Sequence, residues 1–223
     1  SQRAIWDAFH NVYWPALYLI DTRGKIRHHQ FGEGEYSRTE REIQKLLAES
    51  GSHPPSDLVT VSPVGGEVPA NVASLRSPET YVGFEMGERF ASKGGVVPNR
   101  PHEYLFPKSL ALNDWALSGS WSIKSQAAFL NNAGGKVVYR FHARDLNLIM
   151  APPASGLHVR FRVLIGGQPP GSAHGEDIDE QGYGSLNKPR MYQLIRQPGS
   201  IADREAEIEF ADPGVALYDF TFG

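Results

Sequence analysis

The stretch that decides the first part of the fold reads Tyr13-Trp14-Pro15-Ala16-Leu17-Tyr18-Leu19-Ile20-Asp21. This apolar run enters from a proline and ends at the polar residues 21–25, after which residues 26–31 form a second strand-like run. Two short runs joined by a turn that contains Gly24 are typical of a β-hairpin. Because Pro15 has no N–H to donate, we expect it at the start of the first strand. Its peptide bond is a candidate for the cis form, although trans is the more common state of X-Pro bonds.

Helical spacing of apolar residues appears on both sides of this hairpin. The upstream set is Ala4, Ile5, Ala8 and Phe9, and the downstream set is Ile43, Leu46 and Leu47. Ser37 and Glu40 have the spacing of a capping box, and Gly51 offers a stop signal. The sequence therefore predicts the order helix, strand, strand, helix over the first 50 residues.

This order resembles the C-terminal half of a thioredoxin fold. Residues 6–9, 11–16, 18–21 and 32–36 are similar to the thioredoxin-like segment of DipZ-type extracytoplasmic thiol–disulfide proteins, which are relatives of the TlpA/redoxin group. The resemblance implies that Pro15 matches the cis-proline that faces the redox cysteines, and that Trp14 lies beside it in the wall of the redox site. It also implies a periplasmic or cell-envelope location, a membrane-attached parent protein and a thiol–disulfide partner protein for that parent.

The chain contains no cysteine, whereas thioredoxin chemistry requires a Cys-x-x-Cys thiolate at a helix N-terminus. We therefore expect no catalytic residue in this chain, and we interpret it as a C-terminal fragment of a thiol–disulfide oxidoreductase. A natural, cysteine-free homologue is the alternative. A ββα unit by itself leaves a sheet edge and an apolar face uncovered. We accordingly expect residues 1–50 to be completed by the second domain or by another copy of the chain, which would make a homo-oligomer.

Composition limits the other functional classes. The chain has 223 residues, of which 40% are hydrophobic, and a net charge of -3 with both signs interspersed. That pattern provides a real core and excludes a basic face for nucleic acid. The sequence shows no apolar run of about 20 residues that would span a bilayer, and no fingerprint for a nucleotide or other cofactor.

The remainder of the chain changes from helical to strand-like periodicity. We predict three parts: a thioredoxin-like ββα unit over residues 1–52, a linker arm rich in Pro and Gly over 53–78, and a β-sandwich over 79–223. Period-two alternation marks strands at residues 80–84, 115–123, 136–143, 157–165, 205–210 and 215–222. Alternation with one polar face indicates antiparallel pairing, so the predicted fold class is α+β with an antiparallel jelly-roll sandwich.

This second block resembles the carbohydrate-binding-module-like domain that follows the thioredoxin segment in DipZ-type proteins. The matching phrases are residues 115–121, 141–146, 192–195 and 218–223. The resemblance implies a glycan ligand. A structural sandwich used for protein docking or oligomerisation, without sugar binding, is the alternative.

Candidate ligand-binding residues are those whose chemistry suits a sugar, namely flat aromatic rings and planar polar groups. We predict this role for Tyr183, His174, Arg140, Arg144 and Trp121. Tyr183 stands between two glycines in a loop that we expect to be exposed, whereas a Trp in a sandwich more often belongs to the core. The acidic loop 174–182 places Asp177 and Asp179 at alternating positions, but it lacks the full calcium-loop pattern. A solvated polar loop is the favoured interpretation, and we predict no metal site.

Overall fold

The computed structural model describes residues 5, 8–11, 16–31, 34–60, 71–153 and 157–223. Trp14 and Pro15 lie outside these residues, so the predictions about them remain predictions. The chain forms two compact units, Ser1–Pro69 and Ala70–Gly223. The division falls within the predicted arm 53–78.

The first unit contains the predicted hairpin and helix. Strand β1 (Ala16–Ile20) pairs antiparallel with β2 (Ile26–Phe31), and helix α1 (Tyr36–Glu49) follows. Asp21 shapes the hairpin turn, because its Oδ1 accepts the backbone N–H groups of Arg23 and Lys25 at 2.9 and 3.0 Å. Gly24 has a φ of 76°, which a residue with a side chain rarely adopts.

The predicted capping box at the start of α1 is wrong. The helix begins after Glu35, which has a left-handed φ of 53° and makes no capping hydrogen bond through its side chain. Glu40 instead accepts the backbone N–H of Val59 at 3.0 Å, so its carboxylate serves a contact distant in sequence. The stop at Gly51 is confirmed: its φ is 87°, and its N–H donates to the Ala48 carbonyl.

The second unit is an antiparallel sheet of eleven strands. They are β3 (Thr80–Tyr81), β4 (His102–Tyr104), β5 (Trp115–Ile123), β6 (Ala128–Leu130), β7 (Lys136–Phe141), β8 (Asp145–Ala151), β9 (Val159–Ile165), β10 (Tyr183–Leu186), β11 (Arg190–Arg196), β12 (Arg204–Phe210) and β13 (Ala216–Phe222). Their order is β10-β9-β12-β7-β5-β6-β13-β8-β11, with β3 beside β13 and β4 beside β5. All six predicted strand regions contain strands, whereas β4, β6, β8, β10 and β11 were not predicted.

Strand β5 belongs to both halves of this sheet. Its first part, Trp115–Ser118, pairs with β7, and its second part, Gly119–Ile123, pairs with β4 and β6. Gly119, at the change of partner, has a φ of 90°. The sheet curls at this strand, so that the inner faces of its two halves enclose one core.

Aromatic rings from the two halves meet in that core. The Tyr139 ring of β7 lies 4.9 Å from the Phe220 ring of β13, and the Phe161 ring of β9 lies 6.3 Å from the Tyr192 ring of β11. Trp121 is fully buried, and its indole N–H donates to the Ser118 carbonyl at 2.9 Å. The alternation seen in the sequence thus places one face of each strand in a shared apolar interior.

We predict that Gly119→Ala lowers the free energy of unfolding by roughly 2–3 kcal/mol, because a side chain at this positive φ is strained. The added Cβ would also lie 3.1 Å from the Cα of Gly135. Urea denaturation followed by tryptophan fluorescence measures the effect.

Gly94→Ala is the matched control, because Gly94 has a similar φ of 92° with open space around the added Cβ. It should cost about 1 kcal/mol, from backbone strain alone. Equal losses in the two variants would show that the change of partner at Gly119 imposes no packing constraint of its own.

Candidate ligand-binding site

Tyr183 is the predicted site residue that presents a large exposed ring. It opens the edge strand β10 opposite Arg162 of β9, and 55% of its surface is exposed. The Arg162 guanidinium lies 4.8 Å from the centre of the Tyr183 ring, and its Nε donates to the Gln181 carbonyl at 3.2 Å. This cation–π contact holds the ring in place at the surface.

The loop before β10 is built to hold Tyr183 rigidly. Asp179 Oδ1 accepts the backbone N–H groups of Gln181 and Tyr183 at 2.9 and 2.8 Å. A Cβ on Gly182 would lie 2.0 Å from the Val163 carbonyl oxygen, and one on Gly184 would meet the Phe161 ring at 2.4 Å. The two glycines flanking Tyr183 therefore allow close packing of the loop against β9.

An open pocket of about 550 Å³ lies beside the Tyr183 ring. It is lined by Glu176, Asp177, Ile178, Asp179, Tyr183, Gly184 and Ser185. Its polar side-chain groups are three carboxylates and the hydroxyls of Tyr183 and Ser185, and the Ile178 side chain belongs to the buried core. A flat ring beside a few fixed polar groups is the arrangement expected of a small-ligand site.

Both carboxylate oxygens of Asp177 are occupied by donors of the protein itself. Asp177 accepts two hydrogen bonds from the Arg190 guanidinium and one from the backbone N–H of Gln193 at 2.8 Å. The hydrogen bonds from Arg190 to Asp177 raise the pKa of that guanidinium above its usual value, and the guanidinium also lies 3.8 Å from the Tyr192 ring centre. Across the described ranges, no three acidic or histidine side chains come together as a metal site.

The other predicted ligand residues do not join this pocket. His174 is half-buried, with Nδ1 3.0 Å from the Gly175 carbonyl oxygen, and its backbone bridges to Ile195. The prediction that Trp121 binds a ligand is corrected by the structure, because its fully buried ring cannot serve as a surface platform. The pocket lining includes neither residue.

Arg140 and Arg144 lie at and beyond the end of β7, where they form ion pairs. Arg140 donates to the Leu110 carbonyl at 3.1 Å and to Asp203 at 3.3 Å, and His142 Nδ1 lies 2.7 Å from the same carboxylate. Hydrogen bonds from His142 and Arg140 lower the pKa of Asp203. Arg144 binds Asp145 at 2.6 Å. Both arginines therefore have structural partners within the sheet unit.

Three residues of the candidate site were not singled out in the sequence: Arg162, Glu176 and Ser185. A signal for Arg162 was available, because it alternates with the inward residues Phe161 and Val163 and so had to face outward. Its pairing with Tyr183 across the sheet is a long-range contact that periodicity does not reveal.

The fold is an antiparallel β-sheet unit preceded by a ββα unit, and the sheet unit carries an open pocket beside Tyr183. Residues 77–223 match the family described as the thioredoxin-like C-terminal domain, which covers most of the chain, and the protein belongs to this family. No helix in the described part of the chain is long and apolar enough to cross a bilayer.

The curated relatives confirm the resemblance to thiol–disulfide proteins. The chain is 33% identical over 149 residues to Protein DipZ of Mycobacterium bovis and to Protein DipZ of Mycobacterium tuberculosis, which is 66% of this chain and 21% of each relative. It is 40% identical over 50 residues to the thiol-disulfide oxidoreductase YkuV of Bacillus subtilis, which is 22% of this chain and 34% of that protein. The match thus spans about a fifth of the DipZ relatives and a third of YkuV.

We predict that Asp177→Ala lowers the free energy of unfolding by roughly 2 kcal/mol, because it removes charge-assisted hydrogen bonds and leaves the Gln193 N–H without an acceptor. Chemical denaturation measures the loss, and amide exchange across residues 176–185 should become faster. Glu176→Ala at the neighbouring exposed position is the control and should stay within about 0.5 kcal/mol of the parent chain. If both variants behave alike, the ion pair with Arg190 does not shape the loop.

Proposed function

We propose that this chain is the ligand-binding portion of an extracytoplasmic thioredoxin-like thiol–disulfide oxidoreductase, and that its sheet unit binds glycan at Tyr183. The observation that carries the glycan proposal is the exposed Tyr183 ring, held from one side by Arg162 beside an open pocket. The assignment of the sheet as a jelly-roll module of the carbohydrate-binding type is part of this proposal.

The chemistry of the pocket suits a sugar. A pyranose ring presents a face of C–H groups that packs on an aromatic ring, while its hydroxyls need donors and acceptors at the rim. The Ser185 hydroxyl can do both, and the Glu176 carboxylate can accept. Because Asp179 and the two glycines fix Tyr183 before any ligand arrives, little conformational entropy is lost on binding.

The redox part of the proposal concerns a longer protein. This chain has no cysteine, so it cannot exchange disulfides by itself. Membership of the family and the similarity to a relative named as a thiol-disulfide oxidoreductase support a redox parent. Reading the complete coding sequence and the intact mass of the source protein tests this. A Cys-x-x-Cys segment ahead of Ser1 is the expected result, and a natural protein that begins near Ser1 would contradict it.

A docking role is the second candidate, and it is favoured by the exposed apolar residues of the first unit. Leu17, Ile20, Ile26, Phe31, Ile43, Leu47 and Val59 are each more than a third exposed. In the described residues, β1 pairs with β2 alone, so each strand presents an open edge. We propose that further protein surface covers this unit. Light scattering that reports a monomer, with residues 16–50 unprotected in amide exchange, would contradict that proposal.

We predict that Tyr183→Ala reduces glycan binding at least tenfold, because the packing of the sugar's C–H face on the aromatic ring is lost with the ring. Tyr183→Phe keeps the ring and should retain binding within about threefold. The measurement is a glycan array with the purified chain, followed by calorimetry on the oligosaccharides that bind.

Phe84→Ala is the matched control, because Phe84 is an exposed aromatic residue outside the pocket lining, and its loss should leave the affinity unchanged. An array without any bound sugar favours the docking role. Binding that survives Tyr183→Ala places the sugar elsewhere and overturns the proposed site.

A further inference from the structure

Asp219 is a carboxylic acid buried in an apolar part of the sheet unit, away from the residues that line the Tyr183 pocket. It lies in β13, with Ile149 of β8 opposite it on one side and Tyr81 of β3 on the other. Only 5% of its surface is exposed, and its Oδ1 atom is a buried side-chain oxygen that has no hydrogen-bond partner. An ionised carboxylate in such a place is strongly destabilising, whereas a neutral acid is much less so.

The charged and titratable groups around Asp219 do not supply a counter-charge. Glu79 directly precedes β3 and lies two residues before Tyr81, which pairs with Asp219, so strand alternation places the two carboxyl groups on the same face of the ladder. From β7, the Tyr139 hydroxyl approaches the Thr80 side chain at 2.7 Å, and Arg89 is paired with Asp114 at 3.3 Å. Within the part of the chain that the structure describes, no ion pair includes Asp219.

Two adjacent carboxyl groups are stable when one proton lies between them, and burial favours the state with fewer charges. Burial raises the pKa of Asp219 to about 8, and the hydrogen bond and charge of Glu79 act in the same direction, while the Thr80 backbone N–H partly offsets them. The carboxyl group is therefore protonated at neutral pH, and its O–H can donate to the Glu79 carboxylate.

We propose that Glu79 and Asp219 share one proton, and that this proton fastens β3 to β13. Strand β3 has only two residues, and its neighbourhood is also held by the Thr80 hydroxyl contacts at Pro78 and Tyr139, by the Val82 N–H that donates to the Tyr218 carbonyl at 2.9 Å, and by the Phe84 N–H that donates to the Lys124 carbonyl at 3.0 Å. When the proton leaves to solvent at alkaline pH, two negative charges face each other at the end of this short strand. Strand β3 then separates, and the edge of β13 at Tyr218–Phe220 opens.

The sign of the pH dependence follows from the direction of the shift. The folded chain binds this proton more tightly than the unfolded chain, in which an aspartic acid has its ordinary pKa of about 4. The resulting stabilisation is complete below that ordinary value and decreases as the pH rises. It is lost above about pH 8, where the folded form also gives up the proton.

Amide exchange of Val82 tests the proposal, because its N–H is protected by the contact between β3 and β13. The rate in the parent chain is divided by the rate in Asp219→Asn at the same pH, which cancels the intrinsic pH dependence of exchange. An asparagine keeps the size and the donor but cannot ionise. The ratio should be near one at pH 6 and should rise to about tenfold or more at pH 9.

Asp212→Asn is the control. Hydrogen bonds from Arg160 lower the pKa of Asp212 to about 2, so this group stays ionised throughout the range, and the substitution should leave the pH dependence of Val82 exchange unchanged. If Asp219→Asn does not fold, Glu79→Gln at the exposed partner removes the opposing charge and should keep Val82 protected at pH 9. A ratio that does not change with pH, or Glu79→Gln exchanging like the parent chain at pH 9, overturns the proposal.

Discussion

The sheet unit depends on the change of partner within β5. One strand pairs with β7 through its first four residues and with β4 and β6 through the rest, and Gly119 provides the positive φ at the change. Because hydrogen bonding continues through this strand, the curl forms without exposing a sheet edge at the centre. The buried rings of Trp115 and Trp121 lie on either side of Gly119 in the same strand and tie both halves to one core.

The curl also decides which surface is open to a ligand. On β12, Glu209 pairs with Arg162 of β9 on one side and with Lys136 of β7 on the other. Lys136 forms ion pairs with Glu207 and Glu209 at 3.0 and 3.1 Å. This charged row crosses the outer face of the half-sheet and ends at Tyr183 on the edge strand β10. The exposed Tyr183 ring thus lies on an edge strand that no further strand of the described sheet covers, and a rigid loop lies beside it.

Much of the fold could be predicted from period-two alternation, since burial of one face is a local property of each strand. The alternation was also present in β8, where Leu146, Leu148 and Met150 face inward, but Ile149 on the outer face blurs it. The short strands β4 and β6 carry too few residues for a pattern. The capping-box prediction was wrong for a similar reason. The Glu40 carboxylate accepts the backbone N–H of Val59, and this tertiary contact cannot be read from local spacing.

Some features of this protein follow from local sequence, whereas the exposure and pairing of the site residues depend on the tertiary structure. The sequence by itself determined the hairpin, the helix, the sheet faces, the family and the absence of thiol chemistry, because these follow from local periodicity, motif and composition. Only the tertiary structure decided that Trp121 is core while Tyr183 is exposed, that Arg140 and Arg144 are held in ion pairs, and that Asp219 is buried. Those outcomes depend on which strands become neighbours, and strand order is set by the packing of the whole sheet rather than by any single segment.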